Sequence, residues 1–392
     1  MLLTCNPNLH RSHGYAATPV NIKEEIEEKV ERLMRVMADE GLAGVLINAQ
    51  HNFAWLTVGG RNGIDLSREP GAGSLLVRRD GRRFVIASRI ELTRLMTEEL
   101  QGQGYEPVEF AWEEEKSNPA LVAGLARSLT DNSSLGSDLI QGDSTRVVES
   151  AIARARSQLT ASEIDRYRAL GRDTAEAIGG LARTLAPGLT EQEVARRADD
   201  ALAAIGAHSV VTLVAADERI GRFRHPVPTD LRWAKTLIIV VCARRAGLIA
   251  SLTRIVCVGQ TPGELARLTN LVAGVKGKIF AATKPGMSGS DIFSVAAQAY
   301  ADAGFAGQEL LHHQGGATGY RTRDWLAHPH CTERVQVGQA FAWNPSISGT
   351  KVEETCIAFE DGLEIITTTP GWPAIPVAVN GHTYPLPDVL SL

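Results

Sequence analysis

The chain has 392 residues, 44% of them hydrophobic and 22% charged, which suits an ordinary globular protein of two or three domains with a sizeable core. A formal net charge of −5 gives no electrostatic case for nucleic acid or an anionic membrane surface, and no apolar run approaches the roughly 18 residues of a span. The five cysteines (Cys5, Cys242, Cys257, Cys331, Cys356) form no CxxC pair, which argues against a disulfide framework or structural zinc and for a reducing, cytoplasmic setting.

Residues 1–22 open with "MLLTCNPNLHRSHGY", which lacks a basic segment followed by a long apolar core, so they read as an irregular arm rather than a signal peptide. The stretch "IKEEIEEKVERLMRVMADEGLAG" then carries Ile26, Val30, Leu33, Met34 and Met37 at helical spacing and stops at Gly41. Strand-like segments follow at Val45–Ile47, Phe53–Val58, Ser74–Val77 and Phe84–Ala87. Helical stretches at Glu91–Leu100 and Pro119–Leu129 and a short strand in "SSLGSD" complete an α/β layer that closes near residue 150.

From "SQLTASEIDRYRALGRDTAEAIGG" onward the pattern changes to long amphipathic helices. Thr160 with Glu163 has capping-box spacing, and Pro187–Glu193 ends one helix and caps the next. Strands are expected at Ser209–Val214, Thr236–Ala243 and Leu248–Val258, then helices over Pro262–Thr283 and Ser288–Ala303. Strands at Gln339–Ile347, Val352–Phe359 and Leu363–Thr369 come last. Helices leading into strands twice over suggest a pseudo-duplicated α+β half-shell.

Several stretches, in this order, resemble the creatinase/prolidase/aminopeptidase P family. They are "LTASEIDRYR" (Leu159–Arg168), "LAPGLTEQEVA" (Leu185–Ala195), "GLIASLTRIV" (Gly247–Val256) and "KVEETCIAFEDGLEIIT" (Lys351–Thr367). A fifth, "LLHHQGGATGYRTRDW" (Leu310–Trp325), is similar to the family's H-x-x-G-H-x-x-G loop. The resemblance covers roughly residues 23–370 and implies an α/β N-terminal domain over 23–156 with an α+β pita-bread catalytic-type domain over 157–392.

The resemblance also implies a site. The family's peptidases hold two divalent ions with two Asp, one His and two Glu, because two hard cations sharing a hydroxide need that much negative charge. Set residue by residue, those positions fall on Val240, Ser251, Gly316, Asn344 and Glu353. One acid survives, so neither metal nor other cofactor is expected. The family's non-ligand histidines match His225 and His312, while a third position falls on or near Arg323. Creatinase, a member that lacks metals, hydrolyses a C–N bond with a histidine moving the proton.

Such chemistry needs a neutral histidine near its pKa of about 6.5, a carboxylate to orient the substrate and donors for an oxyanion. His225 is the expected base, Glu353 the orienting carboxylate and His312 a polar partner. Substrate contacts are expected from His313, Asn344, Arg323, Lys351 and Glu354. Were His312 and His313 on a strand, at most one would face the cleft. Lys351 with Glu353, two residues apart, would equally make a purely structural ion pair. Cys242 would be a nucleophile only with His225 in reach and a lowered thiol pKa. Arg222, Arg224 and Arg323 favour an anionic or carboxylate-bearing substrate.

The expected function is therefore metal-independent, creatinase-like hydrolysis of a C–N bond in a small polar molecule. A catalytically inactive binding protein and an Xaa-Pro-type metallopeptidase with an atypical metal site are the alternatives. Expected partners are a small-molecule substrate and, by the family's habit, a second copy of the chain, with residues 1–22 as a crossing arm; neither nucleic acid nor membrane is expected.

Overall fold

The computed structural model describes residues 22–142 and 144–392, so the arm expected over 1–22 lies outside the described residues except for Ile22. Helix α1 (Ile22–Glu40) buries Ile26, Val30, Leu33 and Met37 along one face, as its spacing dictates. It leads into β1 (Gly44–Ala49), buried throughout. The stretch expected as a strand at Phe53–Val58 is instead helix α2 (Gln50–Leu56). Asn52 to Leu56 are all buried, so this short helix has no polar face to reveal its period in sequence.

Strands β2 (Pro70–Arg78) and β3 (Arg83–Ser88) follow, then helix α3 (Leu92–Arg94), which continues as a π-helical turn over Leu95–Glu99. Next come β4 (Tyr105–Phe110), α4 (Trp112–Ser117), α5 (Leu121–Ser128), β5 (Leu135–Ser137) and β6 (Arg146–Val147). The six strands form one sheet in the order β4-β3-β2-β1-β5-β6. Strand β4 escaped the sequence reading because it is an edge strand whose "YEPVEF" carries two glutamates and a proline.

Helix α6 (Glu149–Ser157) leads to the long helices α7 (Ala161–Thr184) and α8 (Glu191–Ala204). Both start in capping boxes, Thr160 with Glu163 and Thr190 with Glu193. Strand β7 (His208–Ala216), helix α9 (Arg219–Arg222) and strands β8 (Thr236–Arg245) and β9 (Leu248–Cys257) come next. The helix pair α10 (Gly263–Ala282) and α11 (Gly289–Asp302) then precedes β10 (Gly315–Thr318), β11 (Trp325–Leu326), β12 (Gln339–Trp343), β13 (Ser346–Ile347) and β14 (Thr350–Lys351). Strands β15 (Glu354–Phe359) and β16 (Gly362–Ile365) complete a second sheet in the order β11-β10-β12-β15-β16.

Helices feed a sheet twice, as expected of the half-shell. The second sheet is stitched to the β7–β9 strands where the Thr355 hydroxyl on β15 accepts from Ser251 N–H on β9 at 2.8 Å and donates to Ser251 C=O at 2.9 Å. Beyond the expected elements lie a hairpin of β17 (Ala374–Val379) and β18 (His382–Pro387), and β19 (Leu390–Ser391), which adds to β9 in the order β19-β9-β8-β7.

A buried ionic lock joins the N-terminal layer to this half-shell. Lys29 lies 2.7 Å from both Glu25 and Glu163, and the Tyr320 hydroxyl donates to Glu163 at 2.7 Å. Glu163 thus caps its own helix, accepting from Thr160 N–H at 2.8 Å, and binds α1 with the other oxygen. Nearby, Arg156 is held by Asp324 at 2.6 Å. Among the described residues no helix is long and apolar enough to cross a membrane.

Candidate active site

Three histidines meet beside the second sheet. His225 lies in the loop after α9, while His312 and His313 lie in a bend just before β10. Because that bend is not a strand, the rule that neighbours face oppositely does not apply. The His312 and His313 rings stack 4.4 Å apart at 28°, and both approach His225. The expectation that only one of the pair faces the cleft is therefore corrected.

His312 Nε2 is 3.0 Å from His225 Nε2, so one ring donates to the other. Gln314 holds the bend: its side chain donates to Glu309 C=O, its Oε1 accepts from Tyr300, and its backbone C=O accepts from Asn344 N–H. The Nδ1 atoms of His312 and His313 have no partner. Burial lowers the pKa of His312 to about 3, with Lys351 and the other two rings adding to the effect. Burial and then Arg323 lower His313 to about 4, and burial and then Lys351 also lower that of the more exposed His225. All three are neutral imidazoles at neutral pH.

Against this cluster stands a charged triad. Glu353 is 2 % exposed and accepts from Thr253 at 2.7 Å and from Lys351 at 2.9 Å, with Arg323 3.5 Å away. Burial alone raises its pKa, but Lys351, Arg323 and these hydrogen bonds outweigh it and bring the carboxyl to about 2. Two cations share one carboxylate, and Lys351 is the larger charged influence on His225 and His312. Asn344, whose N–H donates to Gln314 C=O at 2.9 Å, is buried with its Oδ1 unpartnered.

The other expected site residues divide. Glu354, next along β15, points the opposite way and pairs with Arg254 at 2.9 Å and with Thr367. Its place is structural, a correction that follows from strand alternation. Burial pushes the Cys242 thiol pKa up, and the Ser251 hydroxyl contacts its sulfur at 3.2 Å. That is the environment of an inert buried thiol, not of a nucleophile. Arg222 is taken by Glu218 at 3.0 Å and Arg224 by Gln308 at 2.7 Å, so of the three only Arg323 belongs to the triad.

Sequence reasoning passed over three residues. Thr253 binds Glu353 and stands in the quoted "LTR" step, so it was readable there. Gln314 stands in the quoted loop, but nothing marks it as the group that fixes His312. Lys276 on α10 is fully buried and donates to Trp343 C=O at 2.8 Å and Val352 C=O at 3.4 Å. Burial brings its pKa down to about 7, opposed by Glu354; as a core lysine on a helix it leaves no sequence signal.

The five positions that would hold a pair of divalent ions do not fit that group. Val240 offers no donor and packs with Ile238 and Ile255. Ser251 is buried against Cys242. At Gly316 a Cβ would lie 2.0 Å from Trp325 C=O, so the backbone has closed over the histidine position. Asn344 is neutral, and Glu353 is already neutralised by Lys351 and Arg323. One committed carboxylate cannot offset two dications.

Comparison with known proteins follows this geometry. The family model for metallopeptidase family M24 matches residues 148–367. A probable dipeptidase PepE from Mycobacterium bovis is 24% identical over 352 residues, covering 85% of this chain and 92% of the relative. Among solved structures, the Xaa-Pro dipeptidase from Bacillus anthracis superposes with a TM-score of 0.73 at 18% identity, covering 94% of this chain and 100% of the other. The dipeptidase PepE from Mycobacterium ulcerans gives 0.74 at 18% identity over 89% of this chain and 97% of the other. These solved structures share the two-domain pita-bread fold.

Proposed function

The chain belongs to metallopeptidase family M24, and from that membership we propose that it hydrolyses the C–N bond of a small carboxylate-bearing amide, dipeptides foremost, at the cluster of His225, His312 and His313. The observation that carries this reading is the 3.0 Å contact of His225 with His312 beside the Lys351–Glu353–Arg323 triad. Relatives named as a probable dipeptidase and an Xaa-Pro dipeptidase support the substrate class. The paired-metal route is not part of the proposal, because four of its five positions lack an acid or histidine.

In this reading His225, the most exposed ring of the three, takes a proton from water as the oxygen adds to the amide carbon. The same proton passes to the leaving nitrogen as the C–N bond breaks. His312 fixes the tautomer of His225 through their shared hydrogen bond. Lys351 and Arg323, two positive charges against the single charge of Glu353, hold the substrate carboxylate or the developing oxyanion. The free Oδ1 of Asn344 accepts a substrate N–H.

The test is turnover of a panel of dipeptides, Xaa-Pro dipeptides, amidines, ureas and cyclic amides, followed by mass spectrometry, with His225→Ala alongside. Hydrolysis of a carboxylate-bearing amide that is lost in His225→Ala is expected. Turnover unchanged in the variant removes His225 from the chemistry, and binding without turnover across the panel makes the protein a binding member of its family.

A further inference from the structure

We propose that His225, His312 and His313 form a mononuclear site for a nitrogen-preferring d-block cation of the zinc class, built on ligands other than those of the paired-ion site the family implies. One ring nitrogen from each residue lies within 4.8 Å of the other two. Imidazole nitrogens bound at about 2.0–2.1 Å to a tetrahedral ion stand roughly 3.3 Å apart, so the trio needs to close by about 1.5 Å at most. The His225–His312 pair is already near that spacing at 3.0 Å.

The second observation is the orphaned nitrogens. His312 is 8% exposed, and its Nδ1 has no partner; the Nδ1 of His313 has none either. Whichever tautomer the His225–His312 hydrogen bond selects, a buried polar atom on His312 stays unsatisfied, which is costly unless something binds there. An ion that takes the Nδ1 of His312 does so after the ring turns over and gives up its Nε2 contact with His225, so the ring supplies one nitrogen either way. The imidazoles are neutral at neutral pH, so no proton has to be displaced.

The donor set decides which ion. Three imidazoles without a carboxylate suit zinc, copper, nickel or cobalt and not magnesium, calcium or manganese. Lys351 and Arg323 oppose any dication, and Glu353 offsets one of them, which favours an ion that gains strongly from nitrogen ligands. Three protein ligands leave a fourth position open. Elsewhere among the described residues, the exposed pair His328 and His330 has rings 6.4 Å apart and offers two ligands. The inference rests on this geometry and not on the proposed hydrolysis. An ion held here occupies the lone pair of His225 and so inhibits any reaction that uses it as a base.

The test is titration of the full chain with Co2+ and Zn2+, followed by the visible bands of four-coordinate cobalt and by calorimetry. One equivalent is expected, with competition of zinc for cobalt and no response to Mg2+ or Mn2+. His312→Ala and, because that buried change can impair folding, the more exposed His225→Ala should each weaken binding at least about tenfold. His330→Ala should leave it unchanged. Absence of binding, binding that survives both His225→Ala and His312→Ala, or loss in His330→Ala overturns the proposal; none of these depends on turnover.

Discussion

The carbonyl oxygen of Trp325 sits 2.0 Å from the point where a Cβ on Gly316 would lie, with Leu326 Cα at 2.9 Å. The β10–β11 pairing of Gly316 with Leu326 draws the two strands together at this residue. A histidine lost by drift alone leaves a hole; here the backbone has filled it. Gly316→His should therefore not restore a metal ligand. It should destabilise the fold by about 2–4 kcal/mol, because backbone and not a flexible side chain must yield. Urea unfolding checks this, and a stable variant that gains a second bound ion would show that β11 moves freely.

Acid sensitivity follows from the histidines. Unfolded imidazoles titrate near pH 6.5, whereas folded His312 and His313 have pKa values of about 3 and about 4. Between those values the unfolded chain binds more protons, so stability is fully present above about pH 6.5 and falls as pH drops. Each ring contributes up to ~1.4 kcal/mol per pH unit over that window. Glu353, held to about 2, adds its loss only below its unfolded value near 4.5. His312→Gln should flatten the slope of unfolding free energy between about pH 6.5 and about pH 5; an unchanged slope means that the ring titrates normally.

The ionic lock between the two layers gives a third expectation. Lys29 and Glu163 are both fully buried at 2.7 Å, with Glu25 and Tyr320 completing the shell. Lys29→Met leaves Glu163 buried without its ion-pair partner, while Glu25 keeps Arg166 at 2.7 Å, and should cost about 3 kcal/mol. Combining it with Glu163→Gln should recover part of that loss, whereas simple additivity in a double-mutant cycle would deny the coupling.

Much of this architecture was readable because it rests on local rules. The Thr160–Glu163 and Thr190–Glu193 boxes, the period of α1 and the hairpin of β8 and β9 all follow from residues close in sequence. What failed was two-sided burial, as in α2, and edge placement, as in β4. The site divided the same way. Motif position brought His225, His312 and Glu353 into one candidate neighbourhood, where the structure also places them, while the shared orientation of His312 and His313 depends on a bend set by Gln314, Tyr300 and Asn344. That contact network spans residues far apart in the chain, and so does the closure of Trp325 over Gly316. Neither leaves a local pattern.

Cys242 tests the same lesson from the negative side. Its place two residues after Val240, the matched first Asp position, raised the question of a nucleophile, but burial raises its pKa and Ser251 is its partner. Cys242→Ala should retain catalytic activity and lose about 1 kcal/mol of stability from a small apolar void. Iodoacetamide should label it only on unfolding. Rapid labelling of the native chain, together with inactivation, would return the thiol to consideration.

Substrate binding and proton transfer should separate at Lys351 and His225. Lys351→Met removes one of the two cations around Glu353, so a carboxylate-bearing substrate loses a charge-assisted contact. KM should rise roughly 10- to 100-fold, as about 1.4–2.8 kcal/mol of binding would require, with a smaller change in kcat. His225→Ala should do the opposite, lowering kcat by about 10²–10⁴ with KM near its original value, as expected of a lost general base. The two effects are asymmetric because Lys351 binds the substrate in the ground state and the transition state alike, while His225 acts only as the proton moves. Equal falls in kcat for both variants would mean that the positive charge of Lys351 serves the oxyanion rather than the carboxylate. An amide lacking the carboxylate then decides: its KM should be insensitive to Lys351→Met if the carboxylate reading holds, and its kcat should still fall if the oxyanion reading does.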